Sequence, residues 1–148
     1  MAEIRYTIPL EGRTKKNHQM IAGAGHRCPK CGKHEKQWIR QGAYHDEFAE
    51  AAALFIRPRP PRPIECAVNV KCLFYMKTHR RVDGLNLQAA IDDLLVSCGV
   101  LKDDNSRIVA GHDGSRVLYD KERPRVEIII TKMPDENPEQ IKMEGVTQ

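Results

Sequence analysis

"IECAVNVKCLFYMK", Ile64 to Lys77, puts Ile64, Cys66, Val68, Val70, Cys72, Phe74 and Met76 at every second position. Residues two apart in an extended chain point to the same side, so this pattern predicts a strand with one continuous apolar face. Such a face needs a second layer to cover it. The following segment, "RVDGLNLQAAIDDLLVSCG" (Arg81 to Gly99), supplies one. Leu87, Ala90, Ile91, Leu94, Leu95 and Cys98 recur three and four residues apart, which predicts a helix beginning after Gly84, and Gly99 is placed to end it.

On the N-terminal side, "RPRPPRP" (Arg57 to Pro63) terminates whatever precedes it, because proline cannot continue a helix and restrains its neighbour. Ala43 to Ile56 carries Tyr44, Phe48, Ala51, Ala52 and Phe55 at helical spacing and is expected to be a helix. Glu3 to Leu10 alternates as a half-buried strand, with Ile4, Tyr6 and Ile8 on one side. Between them, Glu11 to Gln41 shows no periodicity and is expected to be a long loop that needs its own means of ordering. Trp38 near its end reads as packing rather than base stacking.

On the C-terminal side, strands are expected over Arg107–Ala110, Arg116–Tyr119 and Arg125–Lys132, with "HDGS" (His112 to Ser115) as a turn between the first two. The order predicts an α+β fold, a single small domain with a mixed sheet and two helices packed against it. That domain is expected to cover residues 1–133, with an insertion at residues 25–35. The acidic, proline-containing residues 134–148 are expected to be disordered or loosely docked.

The 148 residues suit one domain with a real core, and a net charge of +4 permits a nucleic-acid partner without requiring one. There is no apolar run of membrane-spanning length and no leader pattern in "MAEIRYTIPL", so a soluble cytoplasmic protein is expected. Five cysteines are an odd number. Cys66, Cys72 and Cys98 fall in apolar patterns that read as core, which argues for reduced thiols rather than a disulfide framework. The absence of GxxxxGK[ST], of GxGxxG and of HExxH removes support for nucleotide cofactors and for that class of metallohydrolase.

The chemistry concentrates where the long strand feeds the helix. "KTHRRVD" sets Lys77, His79, Arg80 and Arg81 directly before Asp83, which itself stands where an aspartate caps free helix amides. On a helix Asp92 lies near residues 85, 88 and 89 and is expected opposite the apolar stripe. Asp103 and Asp104, in "LKDDN", are close enough in sequence to fold back toward Asp83, although a double aspartate before Asn-Ser also reads as a turn. Carboxylates amid cations suit a polyanionic substrate gathered with a hard divalent cation such as Mg²⁺. Arg13, Lys15 and Lys16, with Asn17 and His18, form a second basic set.

"HRCPKCGKH" is a separate feature. Cys28 and Cys31 have zinc-knuckle spacing, with Pro29 and Gly32 shaping a tight turn, and His26 and His34 flank it as the remaining ligands of a structural zinc ion. The other reading is a surface loop bearing two free thiols.

Taken together, the run Arg80, Arg81, Asp83, Asn86, Leu87, Gln88, Ala90, Asp92, Leu94, then Asp103 and Asp104, resembles the RusA family of Holliday junction resolvases over about Ile4 to Met133. The resemblance implies a dimeric, Mg²⁺-dependent endonuclease of phage or prophage type that nicks four-way DNA junctions in recombination and repair. Residue by residue, it implies Asp83 and Asp104 as Mg²⁺ ligands, with Asn86, Asp92 and Asp103 as further members of the catalytic set. Arg13, Lys15, Lys16, Lys77, Arg80 and Arg81 are implied to hold branched double-stranded DNA. The chain departs from the family pattern at Leu85, where a second acid is expected, and at Ala89, where a lysine is expected; these share a helical face with Asp92. An alternative is therefore a weak or inactive, zinc-stabilised branched-DNA-binding protein of the same fold.

Overall fold

The computed structural model describes residues 2–14, 19–22, 27–33, 38–41 and 43–134. It is an α+β domain with one main mixed sheet of five strands and two helices. The main sheet contains β1 (Ile4–Ile8), β4 (Val68–Met76), β5 (Val109–Gly111), β6 (Arg116–Tyr119) and β7 (Arg125–Lys132). β7 runs antiparallel to both β1 and β4, with Tyr6 opposite Ile128 and Cys72 opposite Ile128 across its two edges. β4 is central, and its burial alternates without a break from Val68 to Met76.

The helices, α1 (Ala43–Ala53) and α2 (Gly84–Ser97), lie in the same core cluster as the inward residues of these strands. Phe48, Ala52 and Ile56 join Leu87, Ile91, Leu94 and Leu95 over Val68, Val70, Cys72, Phe74, Val126, Ile128 and Ile130. At about 25 cal/mol per Å² of apolar surface removed from water, this shared face is the main stabilising element of the domain. Burial pushes the Cys72 thiol up to about 12, so it is a core group and not a reactive one.

The expected elements shift in four places. The first helix ends at Ala53, where bonds from Leu54, Phe55 and Ile56 reach back only three residues; Ile56 then takes the buried place and Phe55 is exposed. The Arg59 guanidinium donates to the carbonyls of Ala53 and Ile56 and closes that end. The long strand begins at Val68 rather than Ile64, which makes only a single bridge to Leu101. Cys66, expected in the core, is exposed because the chain there has left the sheet, whereas Cys72 and Cys98 are buried.

The third shift concerns β5 and β6, which are not a hairpin. Both run parallel to β4 and extend the same edge: β5 pairs at Val68 and Asn69, β6 at Leu73 to Met76. In the gap between them, the Ser115 hydroxyl accepts from the Cys72 amide at 3.0 Å. The Asn69 side chain donates to the Asp113 carbonyl at 3.1 Å and accepts from its amide at 2.7 Å. Side chains thus replace the missing backbone ladder.

The fourth shift lies in the expected loop, which contains a two-stranded antiparallel ribbon, β2 (Gln19–Ala22) with β3 (Trp38–Gln41). Among the described residues no helix is long and apolar enough to cross a membrane. Lys15, Lys16, Asn17, His18, His26, His34 and the tail from residue 135 onward lie outside the described residues.

Candidate functional site

α2 starts because Asp83, in extended conformation, accepts the Leu85 and Asn86 amides on Oδ1 at 3.0 and 3.3 Å. The Asn86 side chain donates to Oδ2 at 2.9 Å, so both oxygens of Asp83 are engaged at the helix mouth. Asn86 is therefore a holder of Asp83. Beside this mouth is a cleft of about 400 Å³ lined by Phe74, Asp83, Leu85, Gln88, His112 and Arg116, among others. One wall is the first two turns of α2 and the other is the β6 edge.

Behind Gln88 and His112 in the cleft wall lies a buried acid. Asp92, expected opposite the apolar stripe, is only 7% exposed, and Gln88 only 5%. The flank that carries them is covered by the segment joining β5 to β6, which swings against the helix instead of turning back on itself. His112 Nε2 lies 2.8 Å from Asp92 Oδ2, and the Gln88 amide donates weakly to Asp92 Oδ1 at 3.4 Å. Burial pushes the Asp92 carboxyl above its usual range, an effect opposed by His112 and Gln88 and reinforced by Asp104. The Gln88 carbonyl oxygen is buried without a hydrogen-bond partner.

The second acidic segment forms the turn its sequence allows. Asp103 Oδ1 accepts the Asp104 amide and Oδ2 the Asn105 side chain, both at 2.8 Å. These bonds, the Asn105 one foremost, hold the Asp103 carboxyl below its usual range. Asp104 is pushed up by partial loss of water and by the neighbouring Asp103 and Asp93 carboxylates. The segment thus returns to the middle of α2 near Asp92 and Asp93, about 13 Å along the helix axis from Asp83. Among the described residues no three histidine, cysteine, aspartate or glutamate side chains converge as a metal cage.

The basic residues flank the same helix mouth. Arg13 and Arg80 line one small crevice with Glu11, Val82 and Leu87, on the other side of the first turn of α2 from the cleft. The loop that holds Arg80 and Arg81 is tied by the Lys77 amide donating to Glu11 at 3.3 Å. Lys77, His79, Arg80 and Arg81 are exposed, with the His79 ring stacked on Tyr119 at 3.7 Å between centroids. Leu85 is 82% exposed and Ala89 is exposed, so the helix face they share points into solvent while Asp92 does not.

No protein-family model matches the chain, and no curated protein matches it in sequence. His112, Arg116 and Gln88 were not singled out from the sequence as site residues. The signal available was weak: a histidine four residues before an arginine in a segment that reads as an ordinary turn.

The cysteine turn is a separate site. The Gly32 amide donates to the Cys28 carbonyl at 2.8 Å and the Cys28 amide to the Lys33 carbonyl at 2.9 Å, closing a compact loop. Gly32 sits at φ 67°, a conformation that disfavours side chains. The Cys31 and Lys30 amides point at the Cys28 sulfur and, with the Cys31 side chain, hold its thiol below the usual range, the polarity a metal-binding thiolate needs. His26 and His34, its expected partners, lie outside the described residues.

Proposed function

We propose that this chain is a RusA-type, Mg²⁺-dependent endonuclease that nicks four-way DNA junctions as a two-fold homodimer in DNA recombination and repair. The observation that carries this reading is the grouping of Asp83, His112 and Arg116 around one cleft, with Arg13 and Arg80 on the opposite flank of the same helix turn. Cations on both flanks of a carboxylate-bearing helix mouth suit a phosphate backbone laid across it. The pattern of acids and basic residues that resembles the RusA family supports the same conclusion.

In this reading Arg13, Lys15, Lys16, Lys77, Arg80 and Arg81 neutralise phosphates and position the duplex arms. The resemblance makes Asp83 and Asp104 the Mg²⁺ ligands; standing about 13 Å apart along α2 they do not meet on one ion, so each would hold Mg²⁺ only together with phosphate oxygens, with Asn86 fixing the Asp83 carboxylate and Asp103 the turn that presents Asp104. The donor set fits a hard cation in its oxygen chemistry, and the crowding of Asp103 and Asp93 about Asp104 is relieved by positive charge. When bound, Mg²⁺ polarises the phosphodiester and stabilises the departing oxygen. Closed two-fold symmetry presents two such sites for paired nicks. Cys28 and Cys31 hold a structural zinc ion that orders the insertion.

The exposure of Leu85 and Ala89 favours a second reading, a zinc-stabilised protein that binds branched DNA without cutting it, since these two positions carry neither the acid nor the lysine that the resemblance expects there. The two are separated by incubating a four-way junction and a linear duplex of the same sequence with wild-type protein and Asp104→Asn, in Mg²⁺ or EDTA. Scission of the junction that needs Mg²⁺ and Asp104 is expected. Equal junction binding by both proteins with no scission by either selects the second reading.

A further inference from the structure

We propose that His112 is the proton acceptor of the cleft in phosphodiester hydrolysis, with Asp92 as its positioning residue; this role rests on the nuclease reading above. The imidazole lines the cleft, with its side chain 37% exposed, while the Asp92 side chain behind it is 10% exposed. An ionised carboxylate only accepts, so Nε2 of His112 carries the proton it shares with Asp92 Oδ2 across 2.8 Å. The lone pair is then on Nδ1, which has no hydrogen-bond partner among the described residues.

The histidine is also held in place. Asn69 grips the Asp113 backbone through two hydrogen bonds, and Ser115 is seated against the Cys72 amide of β4. His112 is therefore pinned by the residue after it, by the residue three further on, and by its own ring. Gln88 steadies the other oxygen of Asp92 from one turn earlier in α2. Arg116 lines the same cleft and supplies a cation for a phosphate bound there. The arrangement is a base oriented by a buried acid, facing a space bordered by a cation.

The step balances as follows. The oxygen of a water molecule forms the new bond to phosphorus and its proton passes to Nδ1. The bridging phosphorus–oxygen bond breaks with its electron pair on the departing sugar oxygen, which takes a proton from solvent. The imidazolium, stabilised by Asp92, returns its proton to bulk water. The charged groups around the imidazole are Asp92 from α2, with Asp104 acting on Asp92, Asp83 at the cleft mouth, Arg116 from β6, the adjacent Asp113, and Lys71 of β4, whose stem passes Gly114.

The test is the pH dependence of junction nicking by wild-type, His112→Gln and Asp92→Asn proteins, measured beside junction affinity and far-UV and near-UV circular dichroism. The wild-type rate is expected to rise through a histidine titration. His112→Gln is expected to lose roughly 100-fold or more of the rate together with that limb, to keep its junction affinity, and to recover part of the rate with added imidazole. Asp92→Asn is expected to keep the limb but move it to lower pH; if that variant misfolds, His112→Gln carries the test alone. A His112→Gln protein that nicks at the wild-type rate with the wild-type limb overturns this role and leaves the nuclease reading standing. Wild-type protein that binds the junction and never nicks it overturns both.

Discussion

His112 Nε2 and Asp92 Oδ2 lie 2.8 Å apart and join the middle of α2 to the edge of the sheet across 20 residues of sequence. The pair explains why a carboxylate occupies a buried helix flank. Its thermodynamic consequence follows from the direction of the Asp92 shift. Because burial outweighs His112 and raises the folded pKa above its ordinary 3.8, the native state holds this proton to higher pH than the unfolded chain does. The stability contributed by Asp92 is therefore full below 3.8 and is lost as pH rises through the folded value. Urea midpoints are expected to show Asp92→Asn gaining on wild-type as the pH rises above about 4. A gap that moves the other way contradicts the assignment.

Asp83 has two separable roles. Asp83→Ala removes the acceptor of the Leu85 and Asn86 amides and is expected to cost about 1 kcal/mol of stability. Asp83→Asn keeps a capping oxygen and is expected to change stability by only a few tenths of a kcal/mol, while abolishing Mg²⁺-dependent nicking. Denaturation midpoints and nicking rates of the two variants check this. Nicking by Asp83→Asn at the wild-type rate removes Asp83 from the site.

Gly12 is buried where the chain leaves β1, and a Cβ there would stand 3.1 Å from Phe74 Cδ1 and 3.3 Å from Leu87 Cδ2. Both neighbours are fully packed core side chains with little room to give. Gly12→Ala is expected to lower stability by about 1–3 kcal/mol, measured by urea titration. An unchanged midpoint shows that this part of the core is looser than described.

The cysteine turn predicts bound metal. Protein purified without chelator is expected to carry about one zinc per chain by elemental analysis, and Cys28→Ser or Cys31→Ser to carry almost none. The Asp83–Arg116 cleft is in a different part of the chain, so junction binding by the folded wild-type protein is expected to need Arg80 more than it needs zinc. Filter-binding titrations of Arg80→Ala and of zinc-depleted protein make the comparison.

What the sequence shows about the fold follows from where periodicity is strong. Val68 to Met76 and Leu87 to Cys98 repeat long enough to fix a strand, a helix and the face they share, and both are found there. β2 and β3 are four residues each, too short for any period to stand out, and they emerge only as a pair. "HDGS" has turn chemistry, but its strands pair with β4 rather than with each other. That long-range choice is held by Asn69 and Ser115 and hid His112 from a local reading. Asp83 was legible as a cap because capping is local. Asp92 was expected opposite the apolar stripe, and its burial was not foreseen because helical spacing gives a direction and not the element that arrives to cover it.

The most direct measurement is nick mapping on a four-way junction labelled on two opposed strands, with wild-type protein under single-turnover conditions. The account predicts Mg²⁺-dependent nicks at matching positions on both strands, and none on linear duplex. Tight junction binding with both strands intact in Mg²⁺ contradicts it, and leaves a DNA-binding protein with Leu85 and Ala89 on the exposed helix face where the resemblance expects an acid and a lysine.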